Sequence, residues 1–232
     1  LEPGYEEVRR LGLQAVFHTK APWSAYVLAP TGKDADTGDK PVKVCFQQSQ
    51  GAAPACTAFT SEDDDSDVRL AYQALGGWNE RGPSSNGLRI EDLAPGVKGV
   101  VGEATYSGGG SGTLTQTVVW TFSGGRVEGF YPTYTAKISN LAEARRFASG
   151  PMAGYYITAD FIWGDQETHW DPHRFTLNAY KLDNGRTYLR VLSYVTTNKY
   201  PAERQTPDYV IDHEMPRLKA LLADAYHKGA PF

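Results

Sequence analysis

The chain has 232 residues, 41% of them hydrophobic and 12% aromatic, with 23 lysines and arginines against 27 acidic residues for a net charge of −4. That length buries a full core, as one large all-β domain or as two smaller ones. The slight acidity excludes the diffuse positive field that nucleic acid requires and favours approach by a basic partner. No apolar run reaches the roughly 20 residues of a membrane-spanning helix, and the opening LEPGYEEVRR lacks the apolar region of a signal peptide, as a mature or trimmed chain would.

In chain order, Val8–Thr19 and Trp23–Ala29 read as β-rich segments broken at Pro22 and Pro30, although the spacing of Val8, Leu11 and Ala15 also suits a first helix. The polar loop TGKDADTGDKP follows, with Asp34, Asp36 and Asp39 around Gly38. Several oxygens close together suit calcium as a cofactor, though most acidic runs are solvated surface. Asp63, Asp65 and Asp67 alternate in the same way, but Val68 and Ala74 stand where a calcium-binding helix-loop-helix needs glycine and glutamate.

The only cysteines, Cys45 and Cys56, fall on the two arms of one hairpin, KPVKVCF and CTAFT, so a cross-strand disulfide is the economical reading. Such bonds persist outside the cytoplasm, which points to a periplasmic or secreted protein. Val68, Ala71, Tyr72 and Leu75 recur at helical spacing behind Ser66 or Asp67, with Gly76-Gly77 as the stop, and predict one short helix. The turn-rich GGWNERGPSSNG is the place for a surface loop or linker, so the reading is a single β-rich domain over 1–232 with a sub-division near 77–96 as the alternative.

Val97–Tyr106 and Thr113–Phe122 predict strands around the glycine cluster 108–112, and Ser123-Gly124-Gly125-Arg126 turns the chain into a second hairpin arm at Val127–Tyr134. A phosphate loop needs a helix after its glycines, and a strand follows here, so the cluster reads as a hairpin tip. Asn140 and Glu143 resemble a capping box for a short helix ended by Gly150-Pro151.

Phe175–Leu182 and Thr187–Thr196 are rich in β-branched and aromatic residues, and Asn184-Gly185 between them predicts a type I′ hairpin turn. A two-residue loop would set Leu182 opposite Thr187 and Phe175 opposite Tyr194. The second arm, YLRVLSYV, is apolar at most positions and reads as an inner strand. Leu218, Leu221, Leu222 and Ala225 form a helical stripe ending at His227 and Lys228; Pro216 suits its first turn, which leaves TPDYVIDHEM as a separate turn or strand.

Chemistry concentrates in ETHWDPH. In extended backbone Glu167, His169, Asp171 and His173 would share one face, as a transition-metal site could use, with Asp212, His213 or Glu214 as a further ligand. Gly164 and Pro172 favour instead an ordered loop in which Trp170 plugs into the core and His173 starts the strand. A serine or cysteine nucleophile needs a base held in reach, a geometry that sequence does not show, so no catalytic residue is assigned. Among five tryptophans and fourteen tyrosines, Trp78, Asn79, Trp163, Trp170 and Tyr200 are the candidate binding residues, because rings in loops grip protein or sugar with large area at low entropy cost.

The stretches ADFIWGDQETHWDPHRFTLNAYKL and LRVLSYVTTNKYP resemble the C-terminal part of exported bacterial β-rich proteins, some of them propeller-like, of the lysozyme-inhibitor and effector-immunity type. The resemblance covers the last third of the chain and transfers no catalytic residue. It implies a periplasmic protein whose partner is a toxin or cell-wall hydrolase, and propeller calcium loops are similar to the 34–39 segment. The expected fold is mainly β, a sandwich or small irregular propeller with a C-terminal helix and short peripheral helices. The expected function is binding, as an inhibitor or immunity protein; the rivals are a metal-dependent hydrolase centred on His169 and His173, and a carbohydrate-binding module using Trp78 or Trp170.

Overall fold

A computed structural model of the chain describes residues 2–17, 21–32, 42–49, 51–58, 69–71, 78–79, 82–83, 88–107, 112–123, 125–130, 135–138, 144–168 and 170–227. The fold is mainly β, with three larger antiparallel sheets and one long C-terminal helix. It divides into two compact units, Leu1–Glu91 with Lys98–Pro132, and Asp92–Val97 with Thr133–Phe232.

The first unit opens with β1 (Tyr5–Gly12), the single turn α1 (Gln14–Phe17), β2 (Trp23–Pro30), β3 (Lys43–Gln48) and β4 (Ala55–Ala58), which pair in sequence order. β5 (Arg69–Ala71) joins the next sheet, while β6 (Trp78–Asn79) and β7 (Gly82–Pro83) make a small ladder of their own. β8 (Arg89–Ala94) turns at Pro95 and Gly96, whose φ of 75° only glycine adopts readily, into β9 (Val97–Ser107), which pairs with β10 (Gly112–Ser123) and so with β11 (Arg126–Phe130).

Alternate residues of the two larger sheets close one core. Val27, Val44 and Phe46 from one meet Val100, Val118 and Trp120 from the other, and Phe17 stacks on Phe122 at 4.6 Å. That is a β-sandwich. On the opposite face of the first sheet, Tyr5, Tyr26, Leu28 and Cys45 form a smaller cluster, and Cys45 is disulfide-bonded to the facing Cys56, as the hairpin reading requires.

The helix expected behind Ser66 or Asp67 is not formed at its described residues. Arg69–Ala71 is strand, paired with Thr105–Ser107; the rest of that segment lies outside the described residues. A free sheet edge satisfies the backbone of three residues that helical spacing alone could not hold.

The second unit contains β12 (Thr135–Ile138) and then β13 (Ala144–Phe147), β14 (Tyr155–Ile162), β15 (Arg174–Asp183) and β16 (Thr187–Val195), the last four pairing in sequence order. α2 (Pro207–His227) lies on one face of this sheet and buries Val210, Ile211, Leu218 and Leu222 against Ile157, Ala159, Phe175, Leu177 and Ala179. Arg145 of β13 reaches over to Asp208, at 2.8 Å, and to Asp212.

Four expectations change here. Ala144–Phe147 is strand rather than helix, because Phe147 packs into this core while Arg145 meets α2; Asn140 and Glu143 lie outside the described residues. α2 runs straight through Pro216. Its first turn is capped by Thr206 Oγ1 on the Tyr209 N–H at 3.1 Å, with Pro207 at the first helical position. Pro216 is exposed, so the Asp212 carbonyl it frees can be hydrated, and core burial on both sides offsets the cost of about 3 kcal/mol.

At the hairpin, Asn184 and Gly185 have φ of 48° and 71°, as a type I′ turn needs. The ladder resumes at Asp183 and Thr187, so Leu182 faces Tyr188 and Tyr194 faces Leu177. Finally, β16 is an edge strand, not an inner one. Its alternation is lost through a bulge opposite Ala179 and Tyr180, which lets Val191, Leu192 and Tyr194 all pack toward the core under α2.

Removing the Cys45–Cys56 bond reopens a short loop, so the Cys45→Ser, Cys56→Ser double variant is expected to lose about 2–3 kcal/mol. Urea unfolding followed by the fluorescence of the first unit's tryptophans measures the loss; an unchanged midpoint would contradict it.

Candidate functional site

The loop from Trp163 to Pro172 leaves β14 and re-enters the sheet through His173. Gly164 opens it with the Glu167 carboxylate folded back over its backbone, 2.6 Å from where a Cβ would stand, so a side chain there would displace that carboxylate. Glu167 Oε2 accepts the Gly164 N–H at 2.7 Å, and Lys199 donates to Oε1. The Lys199 ammonium first, and that N–H second, hold Glu167 below the usual carboxylate range. Asp171 closes the next turn by accepting the Thr168 N–H at 2.7 Å and its hydroxyl at 2.8 Å, which likewise lowers its pKa.

His173 is 0% exposed and forms an isolated bridge with Tyr200. Nε2 lies 2.8 Å from the Thr168 carbonyl; Nδ1 lies 3.2 Å from the Ile162 carbonyl and 3.0 Å from Glu167 Oε2. Phe161 and Trp163 pack on the ring at 4.0 and 5.3 Å. His173, rather than Trp170, is therefore the residue that plugs the loop into the sheet. Trp170 is 78% exposed and Trp163 49% exposed. Gln205 donates to the carbonyls of Asp171 and Tyr200, which ties the loop to the chain leading into α2.

Tyr200 extends the aromatic surface to the helix. Its ring meets Phe175, Tyr209 and His213 at 5.9, 6.2 and 5.5 Å, and the Arg204 guanidinium lies over Tyr209 at 5.8 Å. Below them Glu214, 5% exposed, accepts the Tyr200 hydroxyl at 2.8 Å and the Tyr194 hydroxyl at 3.2 Å, with Arg217 at 3.8 Å. Burial first, and Glu214 second, raise both phenols well above their ordinary range, so both stay protonated.

On the sheet face away from α2, Asp160 Oδ2 accepts Asn178 Nδ2 at 2.7 Å and Thr158 Oγ1 at 3.3 Å, while Ser193 donates to Asn178 at 2.8 Å. Oδ1 is buried with no hydrogen-bond partner, and burial pushes Asp160 up to about 7.

The structure thus gathers Glu167, Asp171, His173, Trp163, Trp170 and Tyr200 around one loop of the second unit. Trp78 and Asn79 lie in the first unit, where they pair with Pro83 and Gly82. His169 and the calcium candidates Asp34, Asp36 and Asp39 lie outside the described residues, as do Asp63, Asp65 and Asp67. Glu167 is engaged by Gly164 and Lys199 and Asp171 Oδ2 by Thr168, and among the described residues no three His, Cys, Asp or Glu side chains come close enough to hold a metal ion. Sequence reasoning missed Asp160, although an acid inside the apolar run ITADFI was the available signal, and it missed the Tyr194–Glu214–Tyr200 network, whose members only the fold brings together.

No protein-family model matches the chain, and neither a curated protein nor a solved structure matches it.

A carboxyl with a raised folded pKa holds its proton after the unfolded chain has released it, so stability falls as pH rises from about 4 to about 7 and stays low above. Asp160→Asn is expected to flatten that fall, which amounts to at most about 4 kcal/mol, and to be the more stable chain at pH 8. Denaturant melts at pH 5 and pH 8 check this; parallel pH profiles for the two chains would refute it.

Proposed function

We propose that this protein works by binding, as an exported inhibitor or immunity-type protein that covers a cell-wall hydrolase or secreted toxin with the aromatic face of its second unit. The observation that carries this reading is an exposed Trp170 on a loop held at three described residues: Glu167 by Gly164 and Lys199, Asp171 by Thr168, and His173 by its burial between Phe161 and Trp163. A large ring held out to solvent on an ordered loop costs little further entropy when a partner buries it. The disulfide supports an extracytoplasmic setting. No described helix is long and apolar enough to cross a membrane. The metal-hydrolase reading has less to draw on, because its two candidate carboxylates already serve the loop.

The test presents the immobilised chain to purified wall hydrolases and secreted toxins and measures affinity. Trp170→Ala is expected to weaken a retained partner by about 10- to 100-fold without moving the melting temperature. Absence of affinity across the set, or a Trp170→Ala chain that binds as well, would overturn the reading. Binding to a glycan instead, lost in Trp170→Ala, would replace it with the carbohydrate module.

A further inference from the structure

The hydroxyl of Tyr200 has one proton, and it is committed. It is donated to Glu214 Oε1 at 2.8 Å, while Glu214 Oε2 receives the hydroxyl of Tyr194. The same Tyr200 oxygen lies 3.0 Å from Nδ1 of His213. With its proton spent, that oxygen can only accept, so Nδ1 must carry the N–H; a neutral imidazole has one such proton, and Nε2 is left bare. Burial of Tyr200, and the pKa it raises, keep the proton in place. His213 is exposed, with the 37% exposed Tyr209 ring near-parallel to it at 6.2 Å. The charged groups around this surface are Arg204, over Tyr209, Arg217, held by Thr197 Oγ1 and close to Glu214, and the neighbouring acids Asp208 and Asp212, both paired with Arg145. Two guanidinium groups, with both acids taken up by Arg145, disfavour an incoming ammonium, so the donor that fits is a neutral one such as a hydroxyl.

We propose that His213 is a specificity-determining contact of this face: the relay from Glu214 through Tyr200 fixes the ring so that Nε2 accepts a hydrogen bond from a side-chain hydroxyl of the bound protein. The inference rests on the binding role proposed above. It assigns Tyr200 and Glu214 as positioning residues.

The experiment has two parts on the full chain. Long-range proton–nitrogen NMR reads the ring directly: wild type is expected to show a protonated Nδ1 and a bare Nε2, and Tyr200→Phe and Glu214→Gln should each move the proton toward Nε2. A protonated Nε2 in neutral wild-type His213 would overturn the relay whatever the protein binds. The second part uses the hydrolase or toxin retained in the preceding test: His213→Ala and Tyr200→Phe are each expected to weaken it by about tenfold, although Tyr200 lies beneath the surface. Unchanged affinity in His213→Ala would overturn this inference and leave the binding role standing, whereas a set from which nothing is retained would remove both. An oligomer of β-linked N-acetylglucosamine is expected to leave the His213 signals in place; a saturable shift would transfer the hydroxyl from protein to sugar and overturn the assignment.

Discussion

The order of the Trp163–Pro172 loop depends on how one imidazole is buried. His173 sits with no exposure between Phe161 and Trp163, and each of its ring nitrogens faces an oxygen acceptor. A buried ring N–H left without a partner costs about 1–3 kcal/mol, so the ring keeps that place only while the carbonyl its N–H meets, that of Thr168 or Ile162, stays where it is. The constraint runs both ways. Fixing Thr168 fixes the turn that Asp171 closes, and the His173–Tyr200 bridge fixes the strand exit from which Gln205 reaches back to Asp171. The exposed indoles therefore stand on backbone that is already ordered.

The same sheet treats two acids differently. On α2, turned toward the sheet, Glu214 is nearly buried, yet both of its oxygens receive phenol hydroxyls and Arg217 is close by. Its charge is distributed over a satisfied network. On the other face Asp160 has one oxygen served by Asn178 and Thr158 and one buried without a donor. The first arrangement orders the surface above it, since Tyr200 and His213 are held by the same hydrogen bonds; the second leaves the sheet with a group whose ionisation works against folding.

The sequence was most legible where one residue type has one geometric use. The facing cysteines, the positive-φ pair Asn184-Gly185 and the strands on either side were readable from local chemistry, and with them the mainly β fold. It was least legible where a neighbour decides. Arg69–Ala71 and Ala144–Phe147 are strand because another strand offers its edge. The apolar run of Tyr188–Val195 reflects a bulge, which local pattern cannot separate from burial on both faces. Thr206-Pro207 is a helix start in local chemistry, but Pro216 offers a second one by the same rule, and only the packing of Val210 and Ile211 decides between them. Of the candidate site, the ETHWDPH loop was found but with its parts exchanged: the sequence shows that a tryptophan and a histidine are near one another, and only packing shows which is buried. Glu214, Tyr194 and Tyr200 meet through the docking of α2 on the sheet, beyond the reach of spacing rules.

The claim that the loop is ordered by its buried histidine is tested most directly by native-state amide hydrogen exchange at Asp171, His173 and Tyr200, whose N–H groups bond to the carbonyls of Thr168, Tyr200 and His173. The account predicts protection at all three comparable with that of the strands around them, lost together in His173→Ala while the amides of Tyr155–Ile162 keep theirs. Exchange in the unaltered chain at the rate of an open surface loop, or protection that survives His173→Ala, would contradict it.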